Sequence, residues 1–310
     1  MEEATRIGML RESINRVFVG KEEVVECLLI CLLAGGHVLL EDVPGVGKTT
    51  LASVLAKSMA CSFGRIQFTP DTLPGDVAGV SVYNMKSGEF EYRAGAVMNQ
   101  ILLADEINRT SPKTQSSLLE AMAEGQVTVD GTIHRLPRPF LVLATENPIE
   151  FLGTYPLPEA QMDRFMMRLS IGYPDREGEL RMASQFLAGN TPDKVEAVCQ
   201  AEEIVKLQEQ VKGVLVQEAV LGYMEDIVLG TREEAGFALG ASPRALLALV
   251  RASQARAFLQ ERDFVKPDDV RAVVTPVLAH RLVLSAEAKL RRETAESLLE
   301  DVVHKIKIPM

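Results

Sequence analysis

The stretch from His37 to Leu51, HVLLEDVPGVGKTTL, constrains this chain more than any other. An apolar run that predicts a strand is followed by a glycine-rich segment and then by residues suited to a helix. Strand, glycine-rich loop and helix in this order are typical of a phosphate-binding loop, in which backbone N–H groups and the positive end of the helix dipole meet phosphate oxygens. Lys48 is predicted to reach the β and γ phosphates of a nucleotide, and the Thr49 hydroxyl is predicted to bind a Mg²⁺ ion.

The loop residues predicted to surround the nucleotide are consecutive: Pro44, Gly45, Val46, Gly47, Lys48, Thr49 and Thr50. One position departs from the usual pattern, because Asp42 stands where a glycine is expected. The loop can still close through Gly45 and Gly47. The alternative is a glycine-rich turn that binds nothing. The strand before the loop and the helix after it favour phosphate binding.

Two neighbouring acids follow a further apolar strand. Ile101–Ala104 leads directly into Asp105 and Glu106, and acids at the carboxyl edge of a parallel strand stand where an α/β sheet binds its ligand. Asp105 is predicted to hold Mg²⁺ through water, and Glu106 is predicted to polarise the attacking water as a general base. The alternative is a helix cap without chemistry. A phosphate loop earlier in the chain favours the catalytic interpretation.

Polar and basic residues beyond these acids are further candidates. Asn147 follows another apolar strand and is predicted to hydrogen-bond the attacking water and sense the γ-phosphate. Arg164 is predicted to act on the nucleotide of a neighbouring copy, where it would stabilise charge on the transferring phosphoryl group and make hydrolysis depend on assembly. Arg168 is the competing candidate. The alternative for Arg164 is an ordinary ion pair with Asp163 or Glu159.

Two more positions are predicted to contact the nucleotide. A Ser-Pro pair starts a helix and places Arg244 in its first turn, where the helix dipole disfavours a cation, so an anion facing Arg244 would explain its position. The alternative is a salt bridge with a surface acid. The elbow at Val19 and Gly20, upstream of the phosphate loop, is predicted to be where an adenine ring lies. The pair His280–Arg281 is interpreted as a structural contact.

The length of 310 residues exceeds that of one typical core, so two domains are predicted, at 1–172 and 173–310. The first alternates strands and helices up to a last strand at 167–172. Two hairpins are inserted into it, one around Lys86-Ser87-Gly88 and one around Asp130-Gly131. The second domain is predicted to be helical.

Composition excludes some function classes. A net charge of −10 argues against broad nucleic-acid binding, which depends on Lys and Arg neutralising phosphates. No apolar run approaches the length that crosses a bilayer, so membrane insertion is not expected. The first residues lack an apolar signal core, and the predicted location is the cytoplasm.

Together these residues resemble an AAA+ ATPase of the MoxR family. The resemblance covers essentially the whole chain, through VGKEEVV, LLEDVPGVGKTT, QFTPDTLPGD, LLADEINRTSPKTQSSLLEAM, ATENP, GTYPLPEAQMDRF and GASPRA. It implies an α/β AAA+ P-loop core, with a five-stranded parallel sheet, helices on both faces and two hairpin insertions, followed by an all-α lid domain. The roles it implies are phosphate and metal contact for Lys48 and Thr49, Walker B pair for Asp105 and Glu106, sensor 1 for Asn147, arginine finger for Arg164 and sensor 2 for Arg244.

The same resemblance implies a ring-forming, often hexameric chaperone that depends on ATP and Mg²⁺ and matures or activates protein partners, which frequently carry a von Willebrand A domain. Glu146 stands where a glutamine is usual before the sensor asparagine, and Gly95-Ala96-Val97 replaces the usual Gly-Pro. Neither departure removes a catalytic group. Three alternatives stay open: a nucleic-acid motor, for which hairpin tips carrying Lys86 and Asp130 are a thin basis, the ATPase motor subunit of a metal chelatase, and a platform that binds ATP without turnover.

Overall fold

The computed structural model describes residues 2–147, 153–189 and 191–309. Its strands are β1 (Val38–Glu41), β2 (Phe63–Gln67), β3 (Gly79–Asn84), β4 (Glu89–Ala94), β5 (Ile101–Asp105), β6 (Gln126–Val129), β7 (Thr132–Arg135), β8 (Leu141–Glu146), β9 (Met167–Leu169), β10 (Phe237–Leu239) and β11 (Val283–Leu284). Its α-helices are α1 (Glu2–Val17), α2 (Glu22–Leu33), α3 (Lys48–Ser58), α4 (Pro74–Ala78), α5 (Pro112–Glu124), α6 (Glu159–Met162), α7 (Arg176–Leu187), α8 (Ala201–Val211), α9 (Glu218–Glu233), α10 (Pro243–Leu259), α11 (Pro267–Leu278), α12 (Ala286–Leu290) and α13 (Ala295–Lys305).

A five-stranded sheet with the order β2-β5-β8-β1-β9 is the centre of the fold. The pairs β2 with β5, β5 with β8, and β8 with β1 are all parallel. β5 is buried at every position and β8 at all but its last, which is why both are continuous apolar runs in the sequence rather than alternating ones. The predicted five-stranded parallel sheet is confirmed.

Two antiparallel hairpins, β3–β4 and β6–β7, stand outside this sheet. Asp130 and Gly131 between β6 and β7 both have positive φ, 48° and 78°, as a two-residue type I′ turn requires. The two hairpins contact each other through the stacked rings of Tyr92 and His134, whose centroids are 3.7 Å apart. Both predicted hairpin insertions are confirmed.

The later part of the chain is mainly helical, and α10 shows how its helices begin. Ser242 is the N-cap residue of α10, and its hydroxyl oxygen accepts a hydrogen bond from the Ala245 N–H at 3.2 Å. Pro243 takes the first helical position, where its missing N–H costs nothing. β10 and β11 add a small antiparallel ladder that the sequence does not predict, because strands of three and two residues are too short to show alternation.

The chain divides into two compact units. The first consists of Met1–Glu26, His37–Leu157 and Ser170–Val205, and the second of Cys27–Gly36, Pro158–Leu169 and Lys206–Met310. The division at residue 172 stays a prediction, since it cuts the chain at one point, whereas these units are groups of segments that contact one another. Among the described residues, every helix is too short or too polar to cross a bilayer.

Candidate functional site

The glycine-rich loop leads from β1 into α3 through two glycines in the left-handed region. Gly45 has φ 90° and Gly47 has φ 91°, values that side chains with a Cβ avoid. Gly47 is the N-cap of α3, and its carbonyl oxygen accepts a hydrogen bond from the Leu51 N–H at 2.9 Å. The loop therefore ends at the positive end of the α3 dipole, an arrangement that suits an anion such as phosphate.

Lys48 is the first residue of α3, and its Nζ donates a hydrogen bond to the Asp42 carbonyl oxygen at 2.9 Å. Partial burial lowers the pKa of Lys48, while the charges of Asp42, Asp105 and Glu106 act in the opposite direction. The ammonium group thus experiences the field of the two acids that follow β5.

Asp42, the departure from the usual loop pattern, anchors a distant segment of the first unit. Its buried carboxylate accepts hydrogen bonds from the Ser170 hydroxyl at 3.0 Å, the Ile171 N–H at 2.7 Å and the Gly172 N–H at 2.9 Å. A glycine could make none of these bonds. They also correct the predicted strand at 167–172, because β9 ends at Leu169 and the N–H groups beyond it donate to a carboxylate instead of a strand.

The acid that ends β5 and the acid that follows it are held by a hydroxyl group of β8. Asp105 closes β5, and Glu106 turns away from it in the left-handed conformation, with φ 56° and ψ 52°. Such angles are uncommon for residues other than glycine and are found most often where function imposes them. The Glu106 N–H donates to the Thr145 Oγ1 at 2.9 Å, and the Thr145 hydroxyl donates to the Asp105 Oδ1 at 3.4 Å.

Three further side chains, to which the sequence analysis assigns no role, engage these acids. Arg65 Nε donates to Asp105 Oδ2 at 2.7 Å. Gln67 Nε2 donates to Glu106 Oε2 at 2.8 Å, and Arg109 Nη1 donates to the same oxygen at 3.3 Å. Arg65 and Gln67 are two residues apart on β2, so both point to one face, and Gln67 lies opposite Asp105 on the neighbouring strand. Polar alternation at the carboxyl end of β2 is the signal that could have revealed them.

One cleft of about 330 Å³ in the first unit collects these groups. Its lining is Pro44, Gly45, Gly47, Lys48, Thr49, Thr50, Arg65, Gln67, Asp105, Glu106, Thr145 and Asn147. The structure therefore brings together the predicted loop residues, both acids and Asn147. Val46 is the exception within the loop, because its side chain is buried and does not line the cleft.

The elbow at Val19 and Gly20 is connected to the loop by an aromatic ring. Phe18 is buried, and its ring fills the space next to Gly20 so tightly that a Cβ there would overlap it. The same ring lies 3.4 Å from where a Cβ of Gly47 would be. Val19 and Gly20 are half-buried beside the ring but outside the lining of the cleft, so adenine contact at this elbow stays a prediction.

The predicted basic residues Arg164 and Arg244 belong to the second unit. Arg244 Nη1 lies 3.9 Å from Asp163 Oδ2, and its side chain is 63% exposed, which is the long ion pair that the sequence leaves open as an alternative. Arg168, the competitor of Arg164, donates from Nη2 to Glu296 at 2.7 Å. Arg164 itself is half-buried.

The donors and acceptors of the cleft suit a nucleotide with its magnesium ion. The loop N–H groups and Lys48 offer positive charge to phosphates, and the Thr49 hydroxyl and the Asp105 carboxylate are the oxygen ligands that Mg²⁺ prefers. Asp105 is buried and already holds a cationic group, the Arg65 guanidinium, which shows that this carboxylate binds positive charge. The residues present therefore fit both groups.

A parallel sheet with a phosphate loop after β1, two acids after β5 and an asparagine after β8 defines a P-loop nucleotide-binding fold. Residues 37–167 match the family described as "ATPase family associated with various cellular activities (AAA)", and residues 229–302 match the AAA lid domain. The chain is 41% identical to the chaperone MoxR1 of Mycobacterium tuberculosis over 305 residues, which cover 96% of this chain and 80% of that protein. It belongs to the MoxR family of AAA+ ATPases.

Two further relatives agree with this placement. The uncharacterized protein YeaC of Bacillus subtilis is 50% identical over 304 residues, covering 98% of this chain and 95% of that protein. A crystal structure of a Cytophaga hutchinsonii protein superposes with a TM-score of 0.93 at 39% identity, covering 100% of this chain and 96% of that one. The predicted family and the predicted fold, an AAA+ core followed by a helical lid, are confirmed.

Proposed function

We propose that this protein hydrolyses ATP as part of a self-assembled ring and uses the energy to remodel or mature a protein partner. We base the proposal on one observation, the cleft in which a left-handed glycine loop, Lys48, two acids and Asn147 meet. Membership of the MoxR family supports it, since a relative at 41% identity is named a chaperone.

The loop of residues 44–50 binds the phosphates of ATP through its N–H groups. Lys48 neutralises charge on the β and γ phosphates, and Val19 and Gly20 contact the adenine. Thr49 and Asp105 hold Mg²⁺, which neutralises phosphate charge when it is bound.

Hydrolysis depends on Glu106, which follows β5 and has a left-handed backbone conformation. Glu106 polarises the attacking water and accepts its proton, and Asn147 orients that water beside the γ-phosphate. The Thr145 hydroxyl, which accepts the Glu106 N–H, holds the backbone of this acid in place. These roles need the groups to line one cleft, and that is where they lie.

Arg164 acts on the nucleotide of the neighbouring copy, and Arg244 responds to the nucleotide of its own chain. Arg164 is chosen over Arg168 because the stretch GTYPLPEAQMDRF, which carries the resemblance to the MoxR family, includes Arg164 and ends before Arg168. A cation supplied in trans makes turnover depend on assembly, and a hexamer is the proposed ring.

The proposed partner is a protein, with a von Willebrand A domain as the proposed class of client. Support comes from the two hairpins, on which large apolar side chains are exposed: Tyr83, Met85, Phe90 and Ile133. Exposed apolar groups of this kind suit contact with another protein. The cytoplasm is the proposed location, since free cysteines, Cys27, Cys31, Cys61 and Cys199, suit a reducing compartment.

The ATPase rate per protomer should be measured against protein concentration, with mass determined by light scattering in ATP. We expect the specific rate to rise with concentration, Lys48→Ala to abolish nucleotide binding, and Arg164→Ala to assemble without turnover. Lys113→Ala, an exposed lysine on α5 outside the cleft, is the matched control and should behave as the wild type. A rate that is independent of concentration, with normal turnover by Arg164→Ala, contradicts the ring mechanism.

The alternatives are separated by what stimulates turnover. A protein client should raise the rate, whereas salt-sensitive stimulation by DNA would support a nucleic-acid motor. Stimulation only by chelatase subunits with a tetrapyrrole would support the chelatase alternative.

A further inference from the structure

Arg281, in the short turn that follows α11, is a buried cation that the proposed function has not used. Its side chain is only 3% exposed. Burial lowers the pKa of Arg281 to about 10, against the opposing charge of Asp163, so the group is still a cation at neutral pH. Burying a charge for packing alone is unfavourable, because an apolar side chain would serve better. Its partners therefore indicate its use.

Those partners are the residues on either side of Arg164. Arg281 Nη1 lies 2.9 Å from Asp163 Oδ1, and Arg281 Nη2 donates to the Phe165 carbonyl oxygen at 2.7 Å. His280 Nε2 donates to the same carbonyl at 3.1 Å, and the Phe165 ring is fully buried. One guanidinium thus pairs with the carboxylate of the residue before the predicted finger and hydrogen-bonds the carbonyl of the residue after it.

Asp163 also connects this anchor to the start of α10. Its second carboxylate oxygen accepts a hydrogen bond from the Ser242 hydroxyl at 3.1 Å and lies 3.9 Å from Arg244 Nη1. Ser242 is the N-cap of the helix that carries Arg244. One carboxylate therefore contacts Arg281, the cap of α10 and the predicted sensor, all within the second unit.

We propose that Arg281 is a positioning residue for Arg164: by fixing Asp163 and the Phe165 carbonyl it presents the finger to the nucleotide of the neighbouring copy. This inference rests on the proposed function, in which Arg164 acts in trans. Arg281 does not touch nucleotide in this role. Asp163, Phe165 and Arg244 do not line the cleft of their own chain. Loss of Arg281 therefore keeps the lining of that cleft and impairs the cleft of the next copy.

Mixing two variants tests this division of roles. Arg281→Met alone should assemble and bind nucleotide but hydrolyse about 10- to 100-fold more slowly, the usual cost of a misplaced group. Glu106→Gln alone should be inactive but carries an intact finger. In mixed rings the intact cleft of Arg281→Met meets the intact finger of Glu106→Gln, so activity should rise several-fold above the sum of the separate proteins. No recovery, or full activity of Arg281→Met alone, overturns the inference.

A parallel mixture of Arg164→Ala with Glu106→Gln tests the proposed role of Arg164 in trans separately from the role of Arg281. If mixing with Glu106→Gln does not restore ATPase activity to Arg164→Ala, Arg164 does not act in trans, whatever the result for Arg281. If Arg164→Ala is recovered and Arg281→Met is not, only the positioning role falls. Arg291→Met is the matched control, since that arginine is exposed and its ion pair with Glu287 is long, at 3.8 Å, and it should leave the rate unchanged.

Arg281→Lys covers the case in which the methionine variant does not fold. A lysine keeps a positive charge beside Asp163 but cannot hold both Asp163 and the Phe165 carbonyl with a rigid fork. If Arg281→Lys hydrolyses ATP more slowly than the wild type and mixing with Glu106→Gln restores the rate, the inference is supported. If Arg281→Lys alone has the wild-type rate, the inference is overturned. Recovery in a mixture is a result that a merely structural defect would not give.

Discussion

Two arginine–aspartate pairs, Arg65 with Asp105 and Arg281 with Asp163, have similar N–O distances and opposite surroundings. The N–O distances are 2.7 Å and 2.9 Å. Arg65 is 50% exposed at the edge of the cleft, whereas Arg281 is 3% exposed within the second unit. Water screens the first pair and weakens it, but the second cannot exchange its partner for water. The two distances are alike, so burial decides whether an arginine can release its aspartate to bind a ligand such as Mg²⁺.

The largest effect should follow removal of the buried cation. Arg281→Met should lower the free energy of unfolding by about 3–5 kcal/mol, because it leaves the Asp163 carboxylate without its buried partner. Denaturant titration followed by circular dichroism measures this. The exposed control Arg291→Met should stay within about 0.5 kcal/mol of the wild type. A loss for Arg281→Met as small as the control's would break the comparison.

Substitution of Glu106 in the cleft should change the rate of hydrolysis and not the affinity for nucleotide. Glu106→Gln should reduce hydrolysis by about 10²-fold or more, since the general base is lost, with nucleotide affinity retained. Phosphate release and equilibrium binding of a fluorescent nucleotide measure the two effects. Glu124→Gln, an exposed acid at the end of α5, is the matched control and should keep the wild-type rate. Undiminished turnover by Glu106→Gln would remove this acid from the mechanism.

His37 is a buried ionisable group of the first unit, and it extends the comparison to a group that is neutral when the protein is folded. His37 accepts the Val142 N–H at Nδ1 and donates from Nε2 to the Met122 carbonyl, and burial lowers its pKa to about 4. Between pH 6.5 and 4 the unfolded chain binds a proton that the folded chain excludes, so stability should fall as the pH falls, by up to about 1.4 kcal/mol per pH unit. His37→Gln should flatten this slope in denaturant titrations at several pH values. An unchanged slope would assign the acid sensitivity to other groups.

The smallest effect should come from the exposed cation. Arg65→Met should change the free energy of unfolding by about 0–1 kcal/mol, as solvent-exposed ion pairs do. It should also lower the Mg²⁺ concentration needed for nucleotide binding, because Asp105 no longer holds a competing cation. Denaturation and a Mg²⁺ titration of nucleotide binding check both statements. A stability loss as large as that of Arg281→Met would show that burial does not separate the two pairs.

Local signals in the sequence account for the parts of the site that could be predicted. The phosphate loop, the acids after β5 and the turn at Asp130-Gly131 are each encoded by adjacent residues, and the structure has the predicted element at each place. The apolar character of β5 and β8 follows from burial on both faces, so these strands too are visible in the sequence.

Contacts between distant segments could not be predicted in this way. Arg65 meets Asp105 across 40 positions, and Arg281 meets Phe165 across 116. No period or spacing relates such residues, because it is the pairing of strands and the packing of helices that bring them together. From the sequence alone, Arg281 is interpreted as a structural contact and Asp42 as a departure from a pattern.

The carboxylate of Asp42 has a consequence for how this sequence can change over evolutionary time. A substitution to glycine would bring the loop closer to the common phosphate-binding pattern, yet it would release the Ser170 hydroxyl and two backbone N–H groups from their acceptor. The donors at 171 and 172 are backbone N–H groups, so substitutions there other than proline keep these bonds, whereas most substitutions at position 42 remove the acceptor. Replacing Asp42 alone with glycine would improve the match to the motif but remove the three hydrogen bonds that its carboxylate accepts.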